Sequence, residues 1–157
     1  FASLIELENH LNAWNKNLNP KGVAITALQV RDGTALVYVY RPAKLKQDLK
    51  QDGVSSFLSR YGYRCFHADA ALDRLRKRLD QTTEFPHEIG LFLGYPLGDV
   101  KGFIQNSGKN SKCCGSWKVY CNESETEKLF EKFQKCRLVY CRLFLEGRSV
   151  IQLTVAA

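Results

Sequence analysis

Methionine does not occur among these 157 residues, tryptophan occurs twice and proline four times. A chain without methionine that opens on Phe1 is expected to be preceded by a native N-terminal segment. No apolar run approaches the roughly 20 residues that cross a bilayer, and no export leader opens the chain, so no membrane contact is expected. Walker and dinucleotide glycine fingerprints are missing, as is H-E-x-x-H, so neither specialised phosphate recognition nor a zinc-protease site is expected. Six cysteines are too few for a disulfide scaffold at this length. They are expected to be reduced thiols in a cytoplasm.

What is present is globular in character. Hydrophobic residues make up 45% and charged residues 25%, enough for one domain spanning 1–157 to bury a core of its own. The net charge of +7 favours anionic partners: nucleic acid, nucleotides or acidic proteins.

Periodicity sets out the elements. In "SLIELENHLNAWNKNLNPKG", Ser3 and Glu6 form a capping box, and Leu4, Leu7, Leu11, Trp14 and Leu18 recur at helical spacing. "GVAITALQVRDGTALVYVYRP" is a hairpin turning at Asp32-Gly33, because a type I′ turn needs positive φ at both central residues. Pairing around it puts Leu28, Val30, Ala35, Val37 and Val39 on one face and Val23, Ile25, Leu36, Tyr38 and Tyr40 on the other. Both faces are apolar, so cover on both sides is expected.

Helices follow at "PAKLKQDLKQ", "VSSFLSRYG" and "ADAALDRLRKRLDQ", the last with Ala68, Ala71, Leu72, Leu75 and Leu79 inward. Its basic face, Arg74, Arg76, Lys77 and Arg78, is expected to be solvated. "TTEFPHEIGLFLGYP" reads as a helix stopped at Gly94, "LGDVKGFIQNSG" as another, and Trp117–Cys121 as a strand. A long helix, capped by Asn122 with Glu125 and ended by Gly147, lines its buried face with Leu129, Phe133, Cys136, Tyr140 and Leu143. "SVIQLTVA" closes the chain as a short helix. The fold class is α+β: a small antiparallel sheet, the N-terminal hairpin plus one later strand, wrapped by about seven helices.

Three of the six cysteines fall in "KCCGSWKVYC", residues 112–121. Metal ligation, redox chemistry, nucleophilic catalysis and plain packing all remain open for them. Cys113, Cys114, Cys136 and His87 are the candidate metal ligands, with iron or zinc as the cofactor, provided the fold gathers them. Lys109, Lys112 and Lys118 near Cys113 would lower its pKa and favour a reactive thiol, or a nucleophile if the protein is an enzyme. The same loop also suits a small anionic ligand. Gly108 and Gly115 permit close backbone approach, Lys109, Asn110 and Lys118 supply donors, and Trp117 and Tyr120 supply flat faces. His87 and Glu88 in "PHEIG" would add a ligand or proton acceptor if the loop folds against them. "IGLFLGYPLGDVKGFI", residues 89–104, has helix-turn-helix spacing, which with the basic helix makes nucleic-acid binding the alternative. An ordinary helical hairpin is the preferred account of that spacing.

"LNAWNKNLNPKGV", "ALVYVYRP", "FPHEIGLFLGYPLGDVKGFI", "GKNSKCCGSWKVY" and "LTVAA" together resemble the bacterial family called domain of unknown function 3793, found mostly in anaerobes. The resemblance runs over nearly the whole chain and touches His87, Glu88, Lys109, Asn110, Cys113, Trp117, Lys118, Tyr120 and Cys136. It implies no particular reaction. An association with iron handling leans the cysteine loop toward metal or redox chemistry. The expected function is a cytoplasmic binding protein whose metal, redox or anionic-ligand site centres on the 107–118 loop.

Overall fold

The computed structural model describes residues 3–81 and 84–156. Among them the chain is α+β and mostly helical, with eight α-helices and two separate two-stranded antiparallel sheets. It divides into two compact units, Phe1–Gly94 with Ala156–Ala157, and Tyr95–Val155.

In the first unit, α1 (Leu4–Leu18) begins where Ser3 accepts from the Glu6 N–H, as the sequence predicts. Leu7 and Leu18 are buried. A 3-10 turn, Asn19–Lys21, ends on left-handed Gly22. Strands β1 (Ala24–Arg31) and β2 (Thr34–Tyr40) then pair around Asp32 and Gly33, both at positive φ.

The hairpin departs from simple alternation at one point. The register shifts between Ala27 and Gln29, leaving Leu28 as an extra, buried residue. A bulge reverses the facing of everything before it. Ile25 therefore opposes Val39 rather than sharing a face with Tyr38 and Tyr40, and Ala27 opposes Val37. The expectation of two covered faces is also corrected, because Val39 is 58% exposed and Val37 is exposed too. Tyr38 is buried and stacks on Tyr40.

The outer edge of β1 is closed by side chains. Asn15 of α1 both donates to and accepts from the Ile25 backbone at 2.8 Å, imitating a neighbouring strand. Helices α2 (Pro42–Asp48) and α3 (Val54–Ser59) follow, with Pro42 in the first turn as its missing N–H allows. In α4 (Ala68–Gln81), Ala71, Leu72, Leu75 and Leu79 form the buried stripe. The helix expected across "TTEFPHEIGLFLGYP" shrinks to one turn, α5 (Ile89–Phe92), stopped by left-handed Gly94. Thr82 and Thr83 lie outside the described residues.

The second unit holds α6 (Leu97–Gln105), β3 (Cys113–Cys114), β4 (Lys118–Val119), α7 (Glu123–Leu145) and α8 (Val150–Leu153). The later strand does not join the first hairpin. It pairs with β3 in a sheet of its own, Cys113 opposite Val119 and Cys114 opposite Lys118. Two glycines permit the packing. A Cβ on Gly102 would lie 2.4 Å from the Tyr120 ring, and one on Gly115 would lie 2.2 Å from Phe130. Asn122 precedes α7 in a left-handed conformation without a side-chain cap bond, so the expected cap is absent. Ser149 and Gln152 do form a full capping box on α8.

The expected buried face of α7 is corrected as well. Thr126 is the buried residue of the helix, whereas Leu129, Phe133, Cys136 and Tyr140 are exposed and Leu143 is partly so. Periodicity reports that a face is apolar, not what covers it.

Candidate functional site

The second unit is organised around a carboxylate that the sequence reading passed over. Asp99, in the first turn of α6, is 2% exposed. Its Oδ2 accepts from Trp117 Nε1–H at 2.8 Å. Its Oδ1 accepts from the Tyr120 N–H at 2.8 Å, the Cys121 N–H at 2.9 Å and the Cys121 thiol at 3.1 Å. Burial alone would raise the Asp99 pKa. The bonds from Tyr120, the Cys121 thiol, Trp117 and the Cys121 backbone outweigh it and hold the pKa below the ordinary value. The same contact works on the thiol in reverse. Burial, then the bond to Asp99 and its charge, push Cys121 up to about 11.

This hub fixes the hairpin that carries Cys113. Neighbouring residues in a strand point to opposite faces, so Cys113 and Cys114 diverge. Cys113 Sγ lies with one carboxylate oxygen from each of Glu123 and Glu127, all three within 4.8 Å of one another. The two glutamates are four apart in the opening turns of α7 and so share a face. Among the described residues this is the one cluster of three or more His, Cys, Asp or Glu ligand atoms at that spacing.

Neither Cys114 nor Cys136 joins it. Cys136 is nine residues beyond Glu127, about 13 Å further up a helix rising 1.5 Å per residue. Both of these cysteines are exposed, and all six in the chain are free thiols.

The expected lowering of the Cys113 pKa by lysines is reversed. Burial first, then the charges of Glu123 and Glu127, raise it. Lys118 is turned elsewhere: its ammonium donates to the Gly108 carbonyl at 2.6 Å. The close approaches that the loop glycines permit are made by the chain itself, Phe103 against Gly108 and Phe130 against Gly115. Trp117 is likewise occupied, stacked on Tyr95 at 4.7 Å and meeting Phe130 edge-on at 4.7 Å. Tyr120 donates its hydroxyl to the Lys109 carbonyl at 3.0 Å. Lys109 and Asn110 are exposed, Asn110 at φ 57°.

His87 and Glu88 belong to the first unit. Glu88 is 1% exposed and accepts from Arg78 Nε at 2.8 Å, with the Tyr63 hydroxyl 3.4 Å from the same oxygen. Hydrogen bonding to Glu88 raises the Arg78 pKa against the opposing effect of burial. His87 is exposed, its ring 6.4 Å from that of Phe85.

The basic face of α4 is largely consumed by the fold rather than solvated. Arg74 donates twice to the Tyr61 carbonyl, and Arg76 reaches the Ala27 carbonyl at 3.0 Å and Thr26 Oγ1 at 2.7 Å. The two helices of the 89–104 pattern fall in different units, and the first is a single turn. No helix among the described residues is long and apolar enough to cross a membrane.

Neither a curated protein nor a solved structure matches the chain. One family model does, over residues 1–154, and its description is "Protein of unknown function (DUF3793)". The Asp99 hub, the Cys113–glutamate cluster and the Arg78–Glu88 pair all lie inside that span, and the chain belongs to this family.

Proposed function

We propose that this protein binds a divalent metal ion, zinc or ferrous iron, through Cys113, Glu123 and Glu127. The observation that carries this reading is the approach of one thiol and two carboxylates to within 4.8 Å. One soft sulfur with two hard oxygens suits borderline metals of this kind. Three protein ligands leave a position for water or a small ligand, which is the pattern of a working rather than a purely structural site. The electrostatics favour it too. Two carboxylates beside the sulfur oppose its ionisation, and a dication would reverse that balance and take up the thiolate.

A small anion has less support at the same loop, since Lys118 and the indole of Trp117 already have partners within the chain. Nucleic-acid binding is weakened in the same way by the bonds of Arg74, Arg76 and Arg78. Six unpaired thiols accord with a reducing cytoplasm.

The test is metal content after purification without oxygen. The expected result is about one zinc or iron per chain, lost in Cys113→Ser and in Glu127→Gln. Metal-free protein that also gives no thiolate-to-cobalt absorption on cobalt(II) titration would overturn the proposal.

A further inference from the structure

The two edges of the β1–β2 hairpin are finished differently. On the β1 side, Ile25 bonds through both its N–H and its carbonyl to Asn15, and the Ala27 carbonyl accepts from Arg76. Ile25 stands opposite Val39, and Ala27 opposite Val37. In an antiparallel ladder, residues whose backbone groups turn away from each other form a pair that is not hydrogen-bonded, and both members face the outer edges. Val37 and Val39 therefore point their N–H and carbonyl groups away from β1. Ala35, two positions earlier on the strand without the bulge, does the same. Among the described residues no backbone group bonds to Ala35, Val37 or Val39 on that side.

The open edge is also unguarded. Proteins protect a bare sheet edge with a charged side chain, a proline, a bulge or a covering element. The sequence of β2, TALVYVY, has no charge, no proline and no glycine, and the bulge lies on β1. Ala35, Val37 and Val39 share one face of the ladder with Val30, Ala27 and Ile25 opposite them, so that face is apolar throughout. Val37 is 41% exposed on it and Val39 58%.

We propose that β2 pairs antiparallel with β2 of a second copy, joining two hairpins into one sheet about a two-fold axis at Val37. A two-fold contact uses the same patch on both subunits, and this edge is complementary to itself. Ala35 meets Val39 of the second copy, and Val37 meets Val37 of the second copy. Each such pair exchanges both its bonds, so every outward N–H and carbonyl finds a partner. The strand has no charge to repel its copy, and the same register brings Arg41 to the turn that carries the exposed Asp32 of the second copy. Apolar side chains lie against apolar ones on the shared face. A second copy thus answers the free backbone, the apolar face and the end charges together. The surface is independent of the metal reading, since Cys113, Glu123 and Glu127 belong to the other unit.

The experiment is sedimentation equilibrium of the full chain under reducing conditions, so that no disulfide links copies, with amide exchange followed by NMR. A contact of one strand a side is small, so a dissociation constant on the order of 10 μM is expected. The amides of Ala35, Val37 and Val39 should exchange slowly well above that concentration and fast on dilution, while those of Leu36 and Tyr38, which face β1, stay unchanged. Val37→Lys and Val39→Lys set an ammonium on the open edge and should each weaken dimerisation by about tenfold or more. Val30→Lys, on the same face but on β1, should dimerise as the native chain does. Circular dichroism would establish that all three variants keep the fold. A native chain still monomeric at about 1 mM, far above that constant, would overturn the proposal and leave the edge to a segment of another protein. So would lysine variants of β2 that pair as tightly as the native chain. An equal loss in Val30→Lys would mean that sheets stack face to face, and would overturn it as well.

Discussion

Trp117 gives its indole N–H to Asp99, one oxygen of a buried carboxylate whose other oxygen holds the backbone at Tyr120 and Cys121. The indole, the two amides and the Cys121 thiol all converge on this one acid, so α6 and the β3–β4 hairpin are locked by a charge rather than by apolar contact alone. Removing the charge strands donors in a place with little access to water.

Asp99→Asn should therefore cost about 3 kcal/mol at neutral pH, the scale of lost charge-assisted bonds plus donors left facing an amide. The folded pKa of Asp99 is depressed, so its contribution is fully present above the unfolded value near 4 and is lost as pH falls through the folded value. Urea unfolding followed between about pH 6 and pH 2 should show a steeper loss in the native chain than in the variant. Parallel curves would remove Asp99 as the acid-sensitive group.

Cys121 predicts a difference among thiols. Its pKa is pushed up to about 11 by burial and by Asp99. Cys136 and Cys141 are exposed on α7. Alkylation near pH 8, read by peptide mass spectrometry, should label Cys136 and Cys141 first and Cys121 last, because the thiolate is the reacting species. In Asp99→Asn, Cys121 labelling should accelerate. Early labelling of Cys121 in the native chain would contradict the hub geometry.

Glu88 is buried and pairs with the partly exposed Arg78, so removing either side chain costs the fold their ion pair and its hydrogen bond. Glu88→Ala should cost about 3–5 kcal/mol, and the double variant Glu88→Leu with Arg78→Met should recover most of it. Chemical denaturation of the three proteins measures this directly. Equal losses in single and double variants would show that the ion pair is not what matters there.

The elements that were legible in the sequence are those fixed by local chemistry. The Asp32-Gly33 turn, the Ser3 cap, Pro42 in a first turn and the leucine stripe of α4 each depend on a few neighbouring residues. What was hidden depends on residues far apart in the chain. Asp99 carries no mark in the sequence because its donors lie 18 to 22 positions later. Glu123 and Glu127 do not stand out either, since acids near a helix N-terminus are favoured anyway. The signal available was a pair of acids four apart just after a cysteine hairpin, which has no meaning until that hairpin turns back. Leu28 escaped because alternation carries no mark of a bulge.

Arg76 separates a structural basic face from a binding one. Its guanidinium spans Ala27 and Thr26 on β1 and Asp73 on its own helix, so it ties α4 to the hairpin edge. Arg76→Ala should lower stability by about 1–3 kcal/mol through those lost bonds. Its effect on the salt needed to elute the protein from heparin should be small, whereas a phosphate-contacting arginine would lower that salt requirement markedly. Lys77, exposed beside it, provides the control: Lys77→Ala should leave stability within about 0.5 kcal/mol of the native value. An Arg76→Ala protein as stable as the native one but clearly weakened on heparin would mean that α4 faces a nucleic acid after all.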